Sequence, residues 1–227
     1  AYEMCGRDWS SDVCSSDLGL NQNMWQPQLK YFKEKTILTY DLLGHGKTPF
    51  NNHNLTIDDL RSQLFNLLNN LNIDKINLIG FSIGSLIAIE FAASHQEYLN
   101  SLTLIATTYK RTEAERQKVV DRLNLAKQNK PLSKLAMKRW FTDKYLEENP
   151  SLYQEFMKLL NKEGEDHLNF LKAYDLFANY KDDIEKIKKI KTKTLIIAGS
   201  DDPGSKPDRK STRLNSSHVR TSRMPSS

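Results

Sequence analysis

The sequence predicts an α/β fold, with a mostly parallel sheet, helices on both faces and an all-helical insertion between two of the strands. Three observations predict it. Short β-type runs alternate with helical runs along the chain, the pattern of strands joined by crossover helices. The helical run from Ile83 to Ser94 is apolar almost all round, as in a helix buried against a sheet. Between two of the strand-like runs, residues 106–193 far exceed a simple crossover and carry helical spacing.

Thr36-Ile37-Leu38-Thr39-Tyr40 reads as a strand, ended by Asp41 and the Gly44-His45-Gly46 turn. Thr56 is a good N-cap with Asp59 as its capping-box partner, and Leu60, Leu64, Leu67, Leu68 and Leu71 follow at helical spacing. Lys75 to Ile79, Leu102 to Ile105 and Thr194 to Ala198 read as further strands. In the long insertion Val119, Leu123 and Ala126 share one helical face, Leu152, Phe156, Leu159 and Leu160 another, and Phe170, Tyr174 and Phe177 a third. Residues 108–180 are therefore read as a helical cap over the carboxyl edge of the sheet, where open α/β sheets bind ligands.

The two ends follow a different logic. Codons exist for Asp8 to Asp17 whose reverse complement reads Asp-Arg-Lys-Ser-Thr-Arg-Leu-Asn-Ser-Ser, the run from Asp208 to Ser217. One DNA stretch read on both strands thus encodes both tails, as read-through of a short-read sequencing adapter would. Residues 1–18 and 208–227 are accordingly set aside as non-native, leaving 19–107 as the first part of the core, 108–180 as cap and 181–207 as the return to the sheet. Both cysteines, Cys5 and Cys14, fall in the first tail, so the interior predicts no disulfide and no thiolate metal site.

Of the net charge of +5, the tails hold +1, which leaves +4 on the interior. Its lysines are interspersed with acids, a solvated surface rather than a nucleic-acid footprint. No run reaches the roughly 20 uncharged apolar residues that span a bilayer. The longest, Ile76 to Ala93, is broken by Ser82, Gly84, Ser85 and Glu90. Neither nucleic acid nor membrane is expected as a partner.

Chemistry enters at Gly80-Phe81-Ser82-Ile83-Gly84, a G-x-S-x-G run in which the serine falls between a strand and an apolar helix. Such a turn forces the serine backbone into an unfavourable conformation and crowds its neighbours, so Gly80 and Gly84 are needed for their missing Cβ atoms. Ser82 would project its hydroxyl at the carboxyl edge of the sheet, near the positive end of the helix, and the Ile83 N–H would point into the same space.

Several segments together resemble the α/β-hydrolase family. Asp41-Leu42-Leu43-Gly44-His45-Gly46-Lys47-Thr48 resembles its D-x-x-G-x-G-x-S segment, with Thr48 for the usual Ser, and Gly80 to Gly84 resembles its nucleophile elbow, with Ser85 where a further Gly is frequent. His95 to Leu99 is similar to the family's H-P-E-x-V, with Gln96 for Pro. Gly199-Ser200-Asp201-Asp202 resembles G-x-x-D, with Pro207 one residue later than usual. The resemblance implies Ser82 as nucleophile, Asp202 as the acid of the triad and Ile83 N–H as an oxyanion donor. The residue between the glycines of an H-G-x-G-L-N segment gives the second donor, and Gly19-Leu20-Asn21 places it at Leu18. The strand before Leu18 is expected to be missing.

In this family the catalytic His follows the acid, so His45 is read as structural or rim, His95 as answering the negative end of its helix, and His218 as adapter-derived. No general base is expected in the chain, which is therefore expected to be inactive. The parent is expected to be a cytoplasmic enzyme that cleaves a small-molecule ester or lactone without cofactor or metal. Phe81, Trp140 and Phe141 are the substrate-facing candidates. A carbon–carbon bond hydrolase and a non-catalytic small-molecule receptor are the alternatives, and the oligomeric state is left open.

Overall fold

The computed structural model describes residues 2–5, 11–15, 17–32, 35–51, 54–199, 202 and 218–222. The strands are β1 (Tyr2–Cys5), β2 (Ser11–Ser15), β3 (Thr36–Tyr40), β4 (Ile76–Phe81), β5 (Leu99–Ile105), β6 (Thr194–Gly199) and β7 (His218–Ser222). The helices are α1 (Gln26–Leu29), α2 (Ile57–Asn70), α3 (Ile83–Ser94), α4 (Glu113–Lys127), α5 (Ser133–Trp140), α6 (Asp143–Glu148), α7 (Pro150–Leu160), α8 (Gly164–Asn179) and α9 (Ile184–Lys188). Among the described residues the strands form one sheet in the order β1-β3-β2-β4-β5-β6-β7, parallel except for β1.

Each element has a local cause. α2 begins where Thr56 and Asp59 cap one another: the Asp59 N–H donates to the Thr56 hydroxyl (3.2 Å), and the Thr56 N–H donates to the Asp59 carboxylate (2.8 Å). Leu60, Leu64 and Leu68 then lie on one face and are fully buried. α3 buries every residue from Ile83 to Ala92, as a helix apolar all round must. Leu38 and Tyr40 of β3, Leu78 of β4, Leu102 and Leu104 of β5 and Ile196 of β6 meet these helices in one core. The strands at β4, β5 and β6 extend a residue or more beyond their apolar runs, which the alternating burial of each explains.

The sequence reading places no strand in residues 1–18, and here the structure differs. Ser11–Ser15 is the strand between β3 and β4, with Val13 paired to Leu38 on one side and Leu78 on the other. Two facing edges with open N–H and C=O groups require a strand between them, and backbone pairing is available to any segment without proline. Val13 is fully buried, and Asp12 accepts a hydrogen bond from Asn77 Nδ2 (2.8 Å) while Asn77 Oδ1 accepts one from Ser101 (2.7 Å), a polar ladder across three strands. At the other end His218–Ser222 pairs with β6 along the backbone. Because the pairing is of the main chain, it does not bear on the coding-strand complementarity of the tails.

The insertion is helical throughout, from α4 to α8. Val119, Leu123 and Ala126 of α4 pack on Tyr174 and Ala178 of α8, with Phe170 and Phe177 against them, so the first and third stripes seen in sequence form the cap's own core, while α7, which carries the second, buries no residue. Among the described residues no helix is long and apolar enough to cross a membrane. If Val13 occupies the sheet centre, Val13→Asp buries a charge at a cost of several kcal/mol and should abolish cooperative unfolding in urea. A transition as sharp as that of the unsubstituted chain would show that Ser11–Ser15 is not seated there.

Candidate active site

β4 ends at Phe81 and α3 begins at Ile83, so Ser82 alone turns the chain. It does so at φ 54° and ψ −116°, a region that costs a residue with a Cβ. Three hydrogen bonds hold it there: Ser82 N–H donates to the Ile105 carbonyl (3.0 Å), and the Ser82 carbonyl accepts from Ser85 N–H (2.9 Å) and the Ser85 hydroxyl (2.5 Å). Ser85, fully buried, thus serves the elbow where glycine is frequent in the family. A Cβ on Gly80 would lie 2.7 Å from the Gly84 carbonyl carbon, and one on Gly84 would lie 2.6 Å from the Ser15 carbonyl oxygen. Both obstacles are backbone and cannot yield, so the two glycines let α3 start against the sheet. Ile83 opens α3, and its N–H is among those a helix's first turn leaves without an intrahelical partner.

The segment after β2 runs beside this turn. Asp17 is buried beside Ser82, and the Leu18 N–H donates to Asp17 Oδ1 at 2.6 Å. Burial lifts the Asp17 carboxyl to a pKa of about 6, against the bonds from Ser82 and Leu18 and the charge of Arg139, with Asp202 adding to the lift. Leu18, expected as the second oxyanion donor, lies at the site, and its N–H donates to the neighbouring carboxylate.

Asp41 fixes the loop beneath. Its carboxylate accepts from Gln22 N–H (2.8 Å) and Lys47 N–H (2.9 Å), and its carbonyl accepts from Gln63 Nε2 (2.9 Å). A Cβ on Gly46 would sit 2.6 Å from Asp41 Oδ1, and Gly46 has φ 53°, so this glycine answers both a positive φ and a close approach. The first acid of the D-x-x-G-x-G run is thus a clamp between two loops.

Ser82 opens on a cavity of about 630 Å³ between sheet edge and cap. Asp17 and Leu18 line it on the sheet side, and Arg122, Arg139, Trp140, His167 and Phe170 on the cap side. Of the three aromatic candidates only Trp140 reaches it. Phe81, last in β4, faces the other side of the sheet and packs edge-on against Trp25 (6.5 Å). Phe141 leaves α5 with extended backbone, stacks on Tyr145 (5.5 Å) and meets Phe156 edge-on (5.5 Å). Asp202 lies after β6 with its N–H bonded to the Gly199 carbonyl (3.3 Å), close enough to act on the charges of Asp17 and Arg139. Asp201 and Pro207 lie outside the described residues.

His45 is buried outside the cavity, with Nδ1 within 3.0 Å of the Leu43 carbonyl, and burial brings its pKa down to about 4. His95 at the end of α3 stacks on Phe91 (5.0 Å) and lies 4.5 Å from Phe65, and burial with Arg61 lowers its pKa. His218 pairs through its backbone in β7, and His53 lies outside the described residues. His167 on α8, which the sequence reading left in the cap, lines the cavity with its Nε2 buried and without a partner among the described residues.

Residues 18–225 match the family described as alpha/beta hydrolase fold. The chain belongs to the α/β-hydrolase family. The α/β-hydrolases it resembles include 3-oxoadipate enol-lactonase 1 of Acinetobacter baylyi, 31% identical over 198 residues, 84% of this chain and 71% of that one. The (E)-2-((N-methylformamido)methylene)succinate hydrolase of the same organism is 28% identical over 194 residues, 83% of this chain and 71% of that one. Among solved α/β-hydrolase structures, the enol-lactonase from Burkholderia xenovorans LB400 superposes with a TM-score of 0.83 at 24% identity, covering 92% of this chain and 80% of the other.

Asp17 and His45 make opposite demands on pH. Between pH 4 and 6 the unfolded chain gives up the Asp17 proton while the folded α/β-hydrolase keeps it, so stability falls as pH rises, by about 3 kcal/mol in all. As pH drops from 6.5 to 4 the unfolded chain takes up a His45 proton that the folded state refuses, so that term falls in the other direction, by about 3 kcal/mol. The two oppose one another in the unsubstituted protein. Urea unfolding of Asp17→Asn should therefore show stability rising from pH 4.5 to 6.5, and His45→Gln should show it falling. Parallel curves for the two variants would refute this balance.

Proposed function

We propose that this α/β-hydrolase is a serine hydrolase that cleaves a small carboxylic ester or lactone through an acyl-enzyme on Ser82. The observation that carries the reading is Ser82 itself, held at positive φ on a strand-to-helix turn and open to a cavity beneath a helical cap. The names of the relatives support the lactone or ester class: two are 3-oxoadipate enol-lactonases, and a solved neighbour is an esterase from Exiguobacterium antarcticum.

In this reading Ser82 Oγ attacks the acyl carbon and passes its proton to a base. The oxyanion turns toward the Ile83 N–H. The alcohol leaves with a proton, and water then releases the acid and frees the serine. Asp202 is assigned to hold the imidazole base in the correct tautomer. Among the described residues Asp17 is the buried carboxyl that lines the cavity beside Ser82. A buried carboxylate there opposes a second negative charge and occupies Leu18, so turnover by this chain is expected to be slow. Loss of one triad member alone removes several orders of magnitude of rate.

A fluorophosphonate probe is expected to label Ser82, with labelling abolished in Ser82→Ala and accelerated about tenfold or more in Asp17→Gly, which frees the Leu18 N–H. Labelling that persists in Ser82→Ala places the nucleophile elsewhere. Trp140→Ala should shift the chain-length preference among p-nitrophenyl esters, whereas Phe141→Ala should lower thermal stability and leave that preference in place. A uniform loss across esters in Trp140→Ala would remove Trp140 from the substrate wall.

A further inference from the structure

The cap wall facing Ser82 carries two guanidinium groups, Arg122 on α4 and Arg139 on α5. Their neighbours show what a structural arginine looks like in this cap. Arg111 donates to the carbonyls of Phe177 (2.8 Å) and Tyr180 (3.0 Å), and Arg116 donates to Tyr180 as well (3.1 Å), so both tie the cap's first helix to its exit. Arg122 gives only its Nε to a neighbour, the Tyr174 hydroxyl at 3.1 Å, which aims the rest of the fork. Among the described residues Arg139 makes no hydrogen bond or salt bridge. The acids in its field are Asp17, already bonded to the Leu18 N–H, and Asp202.

Two guanidiniums that repel one another on a partly enclosed wall cost stability unless an anion comes between them. Lys130 and Lys162 stand on the same cavity, and Asp17 and Glu163 are its lining acids, so positive charge predominates. The remaining wall is apolar, with Trp140, Leu160, Phe170 and Phe177 beside the path from the arginines to Ser82. A planar carboxylate matches the fork of donors, and a short hydrocarbon chain matches the apolar stretch.

Resting on the hydrolase reading, we propose that the substrate of this site carries a free carboxylate, seated on Arg122 and Arg139 while its ester or lactone carbonyl lies at Ser82. Specificity then comes from the cap. The arginines orient the scissile carbonyl toward the nucleophile, and a neutral ester of equal length loses that anchor.

The test is calorimetric titration of full-length Ser82→Ala with monomethyl glutarate and, as its neutral counterpart, dimethyl glutarate. The monoester is expected to bind roughly tenfold tighter or better, with the preference shrinking as salt rises. Arg122→Gln with Arg139→Gln should abolish the preference. Arg139→Lys, which keeps the charge but loses the fork, should retain part of it, and circular dichroism checks that each variant is folded. Should the double substitution unfold the cap, Arg139→Gln alone with Arg122 intact is read instead, and it should at least halve the preference. Equal affinity for the two esters, a preference that survives these substitutions in folded protein, or no binding of either up to about 10 mM would each overturn the proposal. Turnover of the neutral p-nitrophenyl acetate by unsubstituted chain is followed separately. Its absence beside an intact charge preference counts against the hydrolase reading and leaves the carboxylate seat standing.

Discussion

The contact between the first turn of α3 and the strands beneath it sets the rest of this structure. Ser15 of β2 lies opposite Gly80 of β4 in the sheet, and Gly84 of α3 sits directly over Ser15. The register of two strands and the absence of two Cβ atoms therefore fix how closely the helix approaches. Only at that approach can a single residue reverse direction between β4 and α3, and the cost is the positive φ of Ser82, about 1–3 kcal/mol. The burial of α3 outweighs it, since Leu86, Ile87 and Phe91 each lose almost all contact with water, at roughly 1.5–3 kcal/mol per side chain. Strain at Ser82 persists because the helix that follows is too well packed to relax it.

The same helix carries the cap. Glu90 is the one ionisable residue within α3's buried stretch, and its carboxylate accepts from the Tyr180 hydroxyl (3.0 Å) and from Lys186 Nζ (2.9 Å). Tyr180 closes α8 and Lys186 belongs to α9, so this bond set joins the elbow helix to the cap's exit. The Tyr180 carbonyl is in turn held by Arg111 and Arg116 at the cap's entry. A buried carboxylate in an otherwise apolar helix is costly unless fully paired. Here the pairing spends that cost on orientation: entry and exit of the cap converge on one residue anchored to α3, and the cavity wall inherits its position from the helix that follows Ser82.

Much of this was legible in the sequence because it rests on local signals. Periodicity marked α2 and α3, the capping pair marked the start of α2, and two glycines around a serine between a strand and an apolar helix marked the elbow. What was not legible depends on partners distant in the chain. Ser11–Ser15 carries no clear alternation, and its place between β3 and β4 follows from the open edges of those strands rather than from its own residues. Phe81 and Phe141 have the right composition for a binding wall, yet strand alternation turns the first to the opposite face and the end of α5 turns the second into the cap core. Asp41 looked like part of a turn motif, and its bond to Gln22 N–H could be known only once the two loops were adjacent. The cavity arginines were invisible for the same reason, since nothing in sequence separates Arg122 and Arg139 from Arg111 and Arg116.

Asp17 says something about the site that its own sequence position does not. One carboxylate accepts from the Leu18 N–H and lines the same cavity as Ser82, close to the start of α3. That is the space a tetrahedral oxyanion on Ser82 would enter, and the donors around it are those such an oxyanion would use. In the proposed acyl transfer the carboxylate would stand in for the developing charge, held by a backbone N–H and set beside a helix N-terminus. Its pKa gives the measure of that environment. Two hydrogen bonds and the charge of Arg139 favour the anion, but they do not fully offset the loss of water, and the group stays well above the ordinary carboxylate range. An oxyanion on a substrate would gain the Ile83 N–H as well, but only if the Asp17 carboxylate were gone or protonated. In the proposed reaction Asp17, more than the elbow, therefore decides whether the strained serine can be used.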